Sequence, residues 1–322
     1  MPAESSPPLS PGVIEELHRD LVRRKRRAFF GALPLVLLAA FAWAGALTDP
    51  RRFGSLAFFA VITVAFVGQM GYEWWTLRQA DPMQLYESAQ HAEAQRYADL
   101  VAHEALSAQV RPYATYALTA TIIAVTAIQF LFTPETKWRD AGALEKAATR
   151  AGEWWRVLTA SFMHGNIMHI VVNAGGVLML GRFVEIYNRP LRVPLVYLLS
   201  VVGGGLLSAL TFPQTSIGAS GGILGLAGYL LVLAGRPKGG TPVWIRRKML
   251  SILGMTALTG TAAFLFIDNA AHAGGAITGA LLALLLPPAQ PSDPLDGVDM
   301  AGALASVILA GGAVFTILRL LA

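Results

Sequence analysis

The sequence contains no cysteine. Disulfides, thiol nucleophiles and thiolate metal sites are therefore excluded. Charge is scarce as well. Only 14% of the 322 residues are Asp, Glu, Lys or Arg, against about 25% in an ordinary soluble domain. With 54% hydrophobic residues and a mean hydropathy of +0.52, the deficit points to an integral membrane protein. The net charge of +5 is no nucleic-acid footprint, because the basic residues cluster beside apolar runs, where they act on topology. An H-E-x-x-H metal motif is missing. So is a second intramembrane aspartate to pair with Asp268, which speaks against aspartyl chemistry. No cofactor, metal or nucleic-acid partner is expected.

What is present is a series of apolar runs of membrane-spanning length. Residues 1–27 read as a Pro/Ser-rich disordered start followed by a basic surface helix, residues 13–27, ending in Arg23-Arg24-Lys25-Arg26-Arg27. This segment is expected in the cytoplasm, and it is not a signal peptide, since the next apolar run is long and lacks a small-residue cleavage site. Residues 28–75 form a two-helix transmembrane hairpin, turned by Thr48-Asp49-Pro50-Arg51-Arg52. Residues 76–112 are a polar, helix-favouring cytoplasmic connector. Residues 113–286 hold six apolar runs: Tyr113 to Phe132, His164 to Tyr187, Val193 to Phe212, Ile217 to Ala234, Met249 to Ile267 and Asn269 to Leu286. Between the first two lies an aromatic stretch, Thr133 to Met163, expected to lie in the outer interface as a loop. Residues 287–322 are a linker and one more transmembrane helix. The expectation is an all-α polytopic protein of about nine spans.

Basic links at Arg182, Arg189, Arg192 and at Arg236 to Lys248 place those loops in the cytoplasm. The candidate reactive groups then fall at one depth, near the outer face. Ser220 lies in Gly218-Ala219-Ser220-Gly221-Gly222, a serine between glycines that admit a close backbone or substrate. A serine needs a base within hydrogen-bond reach. His272, in Ala271-His272-Ala273-Gly274-Gly275, starts another apolar run. Gly275 and Gly279 form a small-xxx-small face, and Gly221 and Gly225 form its counterpart on the serine helix, so the two helices can approach closely. The alternative for His272 is a satisfied histidine that ties two helices together. His169 and Asn173 share one helix face, and an amide side chain there can donate to an oxyanion. His164 reads either as part of a polar cavity or as a staple for the outer loop.

Together these residues resemble the rhomboid family of intramembrane serine proteases. The matches are Trp155-Arg156, His164-x4-His169-x3-Asn173, Gly218-x-Ser220-Gly221 and Ala271-His272-x-x-Gly275-x3-Gly279, in the family's order, across roughly residues 113–286. The resemblance implies a six-helix core with an extra N-terminal hairpin and an extra C-terminal helix. It implies Ser220 as nucleophile and His272 as base, without an acidic third member. It assigns His169, Asn173 and the backbone at Gly218 to Ser220 to oxyanion and substrate contacts. His164, Trp155, Arg156, Gly275 and Gly279 become structural support. Leu224 departs from the familiar pattern, which has an aromatic residue there to pack on the histidine.

The implied activity is serine endopeptidase cleavage of transmembrane segments in membrane-protein substrates, through a Ser-His dyad and an acyl-enzyme. Membrane lipid is the other partner. One alternative is a catalytically silent relative that binds transmembrane clients. Another is a transporter, since glycine-broken helices with polar groups also mark transport sites. The expected location is a bacterial cytoplasmic membrane with the N-terminus inside. Substrate identity and oligomeric state are not legible.

Overall fold

The computed structural model describes residues 11–48, 53–85, 87, 103–236, 241–262, 267–287, 289 and 293–322. It is helical throughout these residues, with a single isolated β-bridge between Leu144 and Ser216. The chain divides into two units, Met1–Ala105 and Leu106–Ala322. The turn at 49–52, residues 86 and 88–102 of the 76–112 connector and the first ten residues lie outside the described residues.

In the first unit, α1 (Pro11–Thr48) and α2 (Phe53–Gln79) pack side by side. Phe29 stacks on Trp74 at 5.7 Å, Lys25 pairs with Glu73 at 2.6 Å, and a Cβ on Gly71 would meet the Phe29 ring. The surface helix expected over 13–27 and the apolar run after it are one continuous helix. Nothing in residues 23–30 breaks helical geometry, so the change from basic to apolar happens along one axis.

The second unit begins with α3 (Tyr113–Phe132). The stretch expected as a loop folds into short helices: α4 (Glu135–Ala141), α5 (Lys146–Arg150), α6 (Arg156–Thr159) and a 3₁₀ turn at Ala160–Phe162. Five longer helices follow: α7 (Ile167–Tyr187), α8 (Arg192–Thr211), α9 (Ser220–Leu233), α10 (Val243–Ala262) and α11 (Asn269–Leu285). The last, α12 (Gly297–Leu321), is closed at its start by a capping box between Asp296 and Asp299. Among the described residues, α3, α7, α8 and α12 are long and apolar enough to span a bilayer, while α9 and α11 are shorter apolar helices. The protein is a multi-pass integral membrane protein, although nine full spans is more than these lengths establish.

The core sits around α9, which packs against α7, α8, α10 and α11. Its residues are buried almost all round, from Gly221 to Leu230 and at Leu233. The apolar side chains of α7 that remain exposed, among them Ile167, Met168, Val171 and Val172, face outward as lipid contacts would. With 14 residues, α9 is about 21 Å long at 1.5 Å per residue, short of the roughly 30 Å hydrocarbon layer. The run from Ile217 to Ala234 therefore is not one span-length helix. Ile217 and Gly218 lie before the helix, which begins at Ser220.

Two arginines expected as free topology charges are not free. Arg189 is buried against Asp299, and Arg192 is 3.4 Å from Asp296. The acidic residues before α12 thereby tie that helix to the link between α7 and α8.

Candidate active site

The segment leading into α9 is set by Gly218. Its φ of +130° lies where an L side chain is strained. A Cβ there would also come within 2.8 Å of His169 Nε2. Residues 216–218 are held extended by the Leu144–Ser216 bridge and by the Gly218 N–H, which donates to the Ala160 carbonyl at 2.9 Å. The helix then begins at Ser220, so its first N–H groups have no partner within the helix.

The next contact is between Ser220 and His272. Ser220 Oγ and His272 Nε2 are 2.7 Å apart, a hydrogen bond within reach for proton transfer. The other ring nitrogen, His272 Nδ1, is buried without a hydrogen-bond partner among the described residues. Among the described residues no carboxylate hydrogen-bonds this ring.

Glycines make that approach possible. A Cβ on Gly275 would overlap the Gly221 carbonyl, and one on Gly279 would overlap the carbonyl of Gly225. A Cβ on Gly204 of α8 would run into the Ala271 carbonyl. The helices α8, α9 and α11 thus meet backbone to backbone, as small-residue faces allow in a membrane. Leu224 is buried in the same core.

His169 and Asn173 stand on the other side of Gly218. The His169 ring abuts Gly218, and the Asn173 amide, 4% exposed, donates to the His169 carbonyl at 3.0 Å. The fourth apolar run does not start as a helix at His164. Asn166 caps α7 by accepting from the His169 N–H at 2.8 Å, which leaves His164 in the loop before it. His164 is fully buried. Its Nδ1 lies 2.9 Å from Thr126 Oγ1, and its backbone N–H and carbonyl bond the Gln129 side chain. The loop is thereby stapled to α3.

A cavity of ≈ 50 Å³ does adjoin Ser220. Ser161, Ser216, Gly218, Asp268 and Ala271 contribute to its wall. It has room for a few water molecules. His164, His169 and Asn173 are not part of it.

Trp155 and Arg156 organise the short helices. Arg156, 5% exposed, donates to the carbonyls of Arg139 at 2.6 Å and Ala143 at 3.0 Å and pairs with Glu153 at 2.7 Å. Trp155 lies between cations and a ring: Arg156 at 4.6 Å, Arg319 at 5.1 Å and Phe315 at 5.3 Å. Phe315 and Arg319 belong to α12, so the C-terminal helix buttresses this loop directly.

The sequence reading passed over one buried group. Lys146, 1% exposed, donates to Ser216 Oγ at 2.5 Å and lies 3.5 Å from Asp268 Oδ2. Asp268 accepts from Ser208 and Ser216, and its other oxygen caps α11 at the Ala271 N–H, 2.9 Å away. Burial pulls the Lys146 ammonium below its ordinary value, with Asp268 opposing. Asp268 was readable as a cap, since an acid commonly precedes a helix. Lys146 carried no local signal, because its partners are distant in the chain. Among the described residues no His, Cys, Asp or Glu cluster suits a metal ion.

A family model described as "Rhomboid domain" matches residues 151–289. "RHOMBOID-like protein 6, mitochondrial" of Arabidopsis thaliana is 35% identical over 167 residues, covering 49% of this chain and 52% of that one. "Rhomboid protease GluP" of Bacillus subtilis (strain 168) is 34% identical, over 46% of this chain and 29% of its own length. "Inactive RHOMBOID-like protein 8" of Arabidopsis thaliana is 33% identical, over 41% and 38%. The chain thus covers about half or less of these relatives, of which one is named as a protease and one as inactive.

Proposed function

The chain belongs to the rhomboid family, and from that premise we propose that it is an intramembrane serine endopeptidase. The observation that carries this reading is the 2.7 Å contact between Ser220 Oγ and His272 Nε2. Ser220 attacks a carbonyl in or near a substrate's transmembrane segment, and Nε2 takes the hydroxyl proton. The same proton passes to the leaving amine. Water then hydrolyses the acyl-enzyme with His272 again as base. The relation is a dyad, because both Asp268 oxygens serve other groups and Nδ1 has no acidic partner. The N–H groups at the start of α9 and the side chains of His169 and Asn173 steady the oxyanion. Gly218 keeps the space beside His169 open, and a helical substrate must unwind locally to expose its peptide bond.

In this reading residues 113–286 are the catalytic core, 28–75 an added hairpin and 287–322 a buttressing helix. The N-terminus is cytoplasmic and the 133–163 stretch external. A relative named as mitochondrial stands beside a bacterial one, so assignment to a bacterial cytoplasmic membrane rests on the sequence reading alone.

A membrane-impermeant fluorophosphonate probe tests chemistry and orientation together. Applied to the outer face of sealed vesicles, it is expected to label wild-type protein at Ser220, with no labelling of Ser220→Ala. Lack of labelling in permeabilised vesicles overturns the protease reading in favour of a silent, client-binding relative. Labelling only from the cytoplasmic face overturns the orientation. For Asn173→Ala, kcat on a transmembrane substrate is expected to fall about 10- to 1,000-fold, as for a lost oxyanion donor. Full activity in that variant removes Asn173 from the mechanism.

A further inference from the structure

We propose that Lys146 and Asp268 are positioning residues for the Ser220–His272 pair, an inference that rests on the protease reading above. The two segments that carry the dyad are tied together four residues before each member. Ser216 precedes Ser220 by four residues, and Asp268 precedes His272 by four. Ser216 Oγ donates to Asp268 Oδ2 at 2.6 Å and accepts from Lys146 Nζ at 2.5 Å. The His272 N–H donates to the Asp268 carbonyl at 3.1 Å, which continues the tie to the imidazole's own backbone.

Each remaining bond reaches a further element. Ser208 near the end of α8 donates to Asp268, and Lys146 Nζ donates to the Leu144 carbonyl at 3.2 Å. Leu144 is in turn bridged to Ser216. One buried ion pair therefore fixes the short-helix segment, the end of α8, the approach to α9 and the start of α11. Both charges are sequestered, Lys146 at 1% and Asp268 at 8% side-chain exposure. A buried charge stripped of its partner is strongly unfavourable, so neither can move far without the other. Because Asp268 binds four groups here and leaves His272 Nδ1 untouched, it acts through the backbone and not as a triad acid.

The test is the inactivation kinetics of the full-length protein with an alkyl fluorophosphonate, which separates the maximal rate of inactivation from the half-saturating probe concentration. Lys146→Met is expected to lower the maximal rate about 10- to 100-fold, the scale of a misplacement near 1 Å, with half-saturation within about 2-fold of wild type. Lys146→Met combined with Asp268→Asn leaves no unpaired charge and is expected to regain thermal stability while the rate stays depressed about 10-fold. Ser216→Ala keeps both charges and is expected to lose about 3- to 10-fold in rate with an unchanged melting temperature. A labelled wild type with any of these variants folded and inactivated at the wild-type rate overturns the positioning role alone. Recovery of both stability and rate in the double variant does so too, since it reduces the pair to a structural one. An unlabelled wild type overturns the protease reading and this inference with it.

Discussion

Alanine at Ser220 is expected to abolish cleavage, and alanine at His272 to do nearly the same. The double variant should be no worse than Ser220→Ala. A nucleophile and its base serve one step, so their losses do not add. The physical reason is the 2.7 Å contact: without Nε2 to accept the proton, a serine hydroxyl is scarcely ionised near neutral pH. Fluorophosphonate labelling should be much slower in His272→Ala. His272→Gln separates base from staple. Glutamine can restore a hydrogen bond to Ser220 but an amide accepts no proton near neutral pH. A folded His272→Gln protein is therefore expected to be inactive, and robust turnover by it would sink the dyad while leaving the fold intact.

Gly279→Val is expected to disable the enzyme without touching a reacting group. Gly279 lies seven residues beyond His272. A Cβ there would overlap the carbonyl, carbon and Cα of Gly225, all backbone atoms that no rotamer change can move aside. The α9–α11 contact must open, and the serine and histidine are on those two helices. Overpacking of this kind costs about 1–3 kcal/mol and occasionally more, and a backbone obstacle places this variant at the upper end. Loss of thermal stability and at least about 100-fold loss of labelling rate are expected together. Gly311→Ala is the control. Nothing lies within 4 Å of its Cβ, so neither quantity should change. A Gly279→Val protein with wild-type melting temperature and labelling would show that the α9–α11 distance does not set the dyad.

Much of this was legible in the residue order. Low charge and long apolar runs mark a membrane protein because unpaired polar backbone and charge are costly in lipid. Helix ends were readable where the signal is local: Tyr113 to Phe132 matches α3, and Asn269 begins α11. Ser220 and His272 stood out because a polar group among glycines in an apolar run has few bland explanations. The start of α9 was misjudged, because hydropathy counts Ile217 to Ala219 as apolar but cannot see that Gly218 takes a positive φ.

By itself the sequence determined the membrane class, the helical content and the identity of the two groups that meet, since each follows from composition or from residues adjacent in the chain. Only the tertiary structure decided which charges are free and which are spent. Arg189 and Arg192 looked like topology signals, yet Asp299 and Asp296, more than a hundred residues away, take them up. Lys146 drew no notice in the sequence, yet it is buried against Asp268. His164 could be read as a cavity residue or as a staple, and its bonds to Thr126 and Gln129 are those of a staple. Each outcome depends on pairing across long loops, which no local pattern encodes, and in a low-dielectric interior that pairing decides what a charged or polar side chain can do.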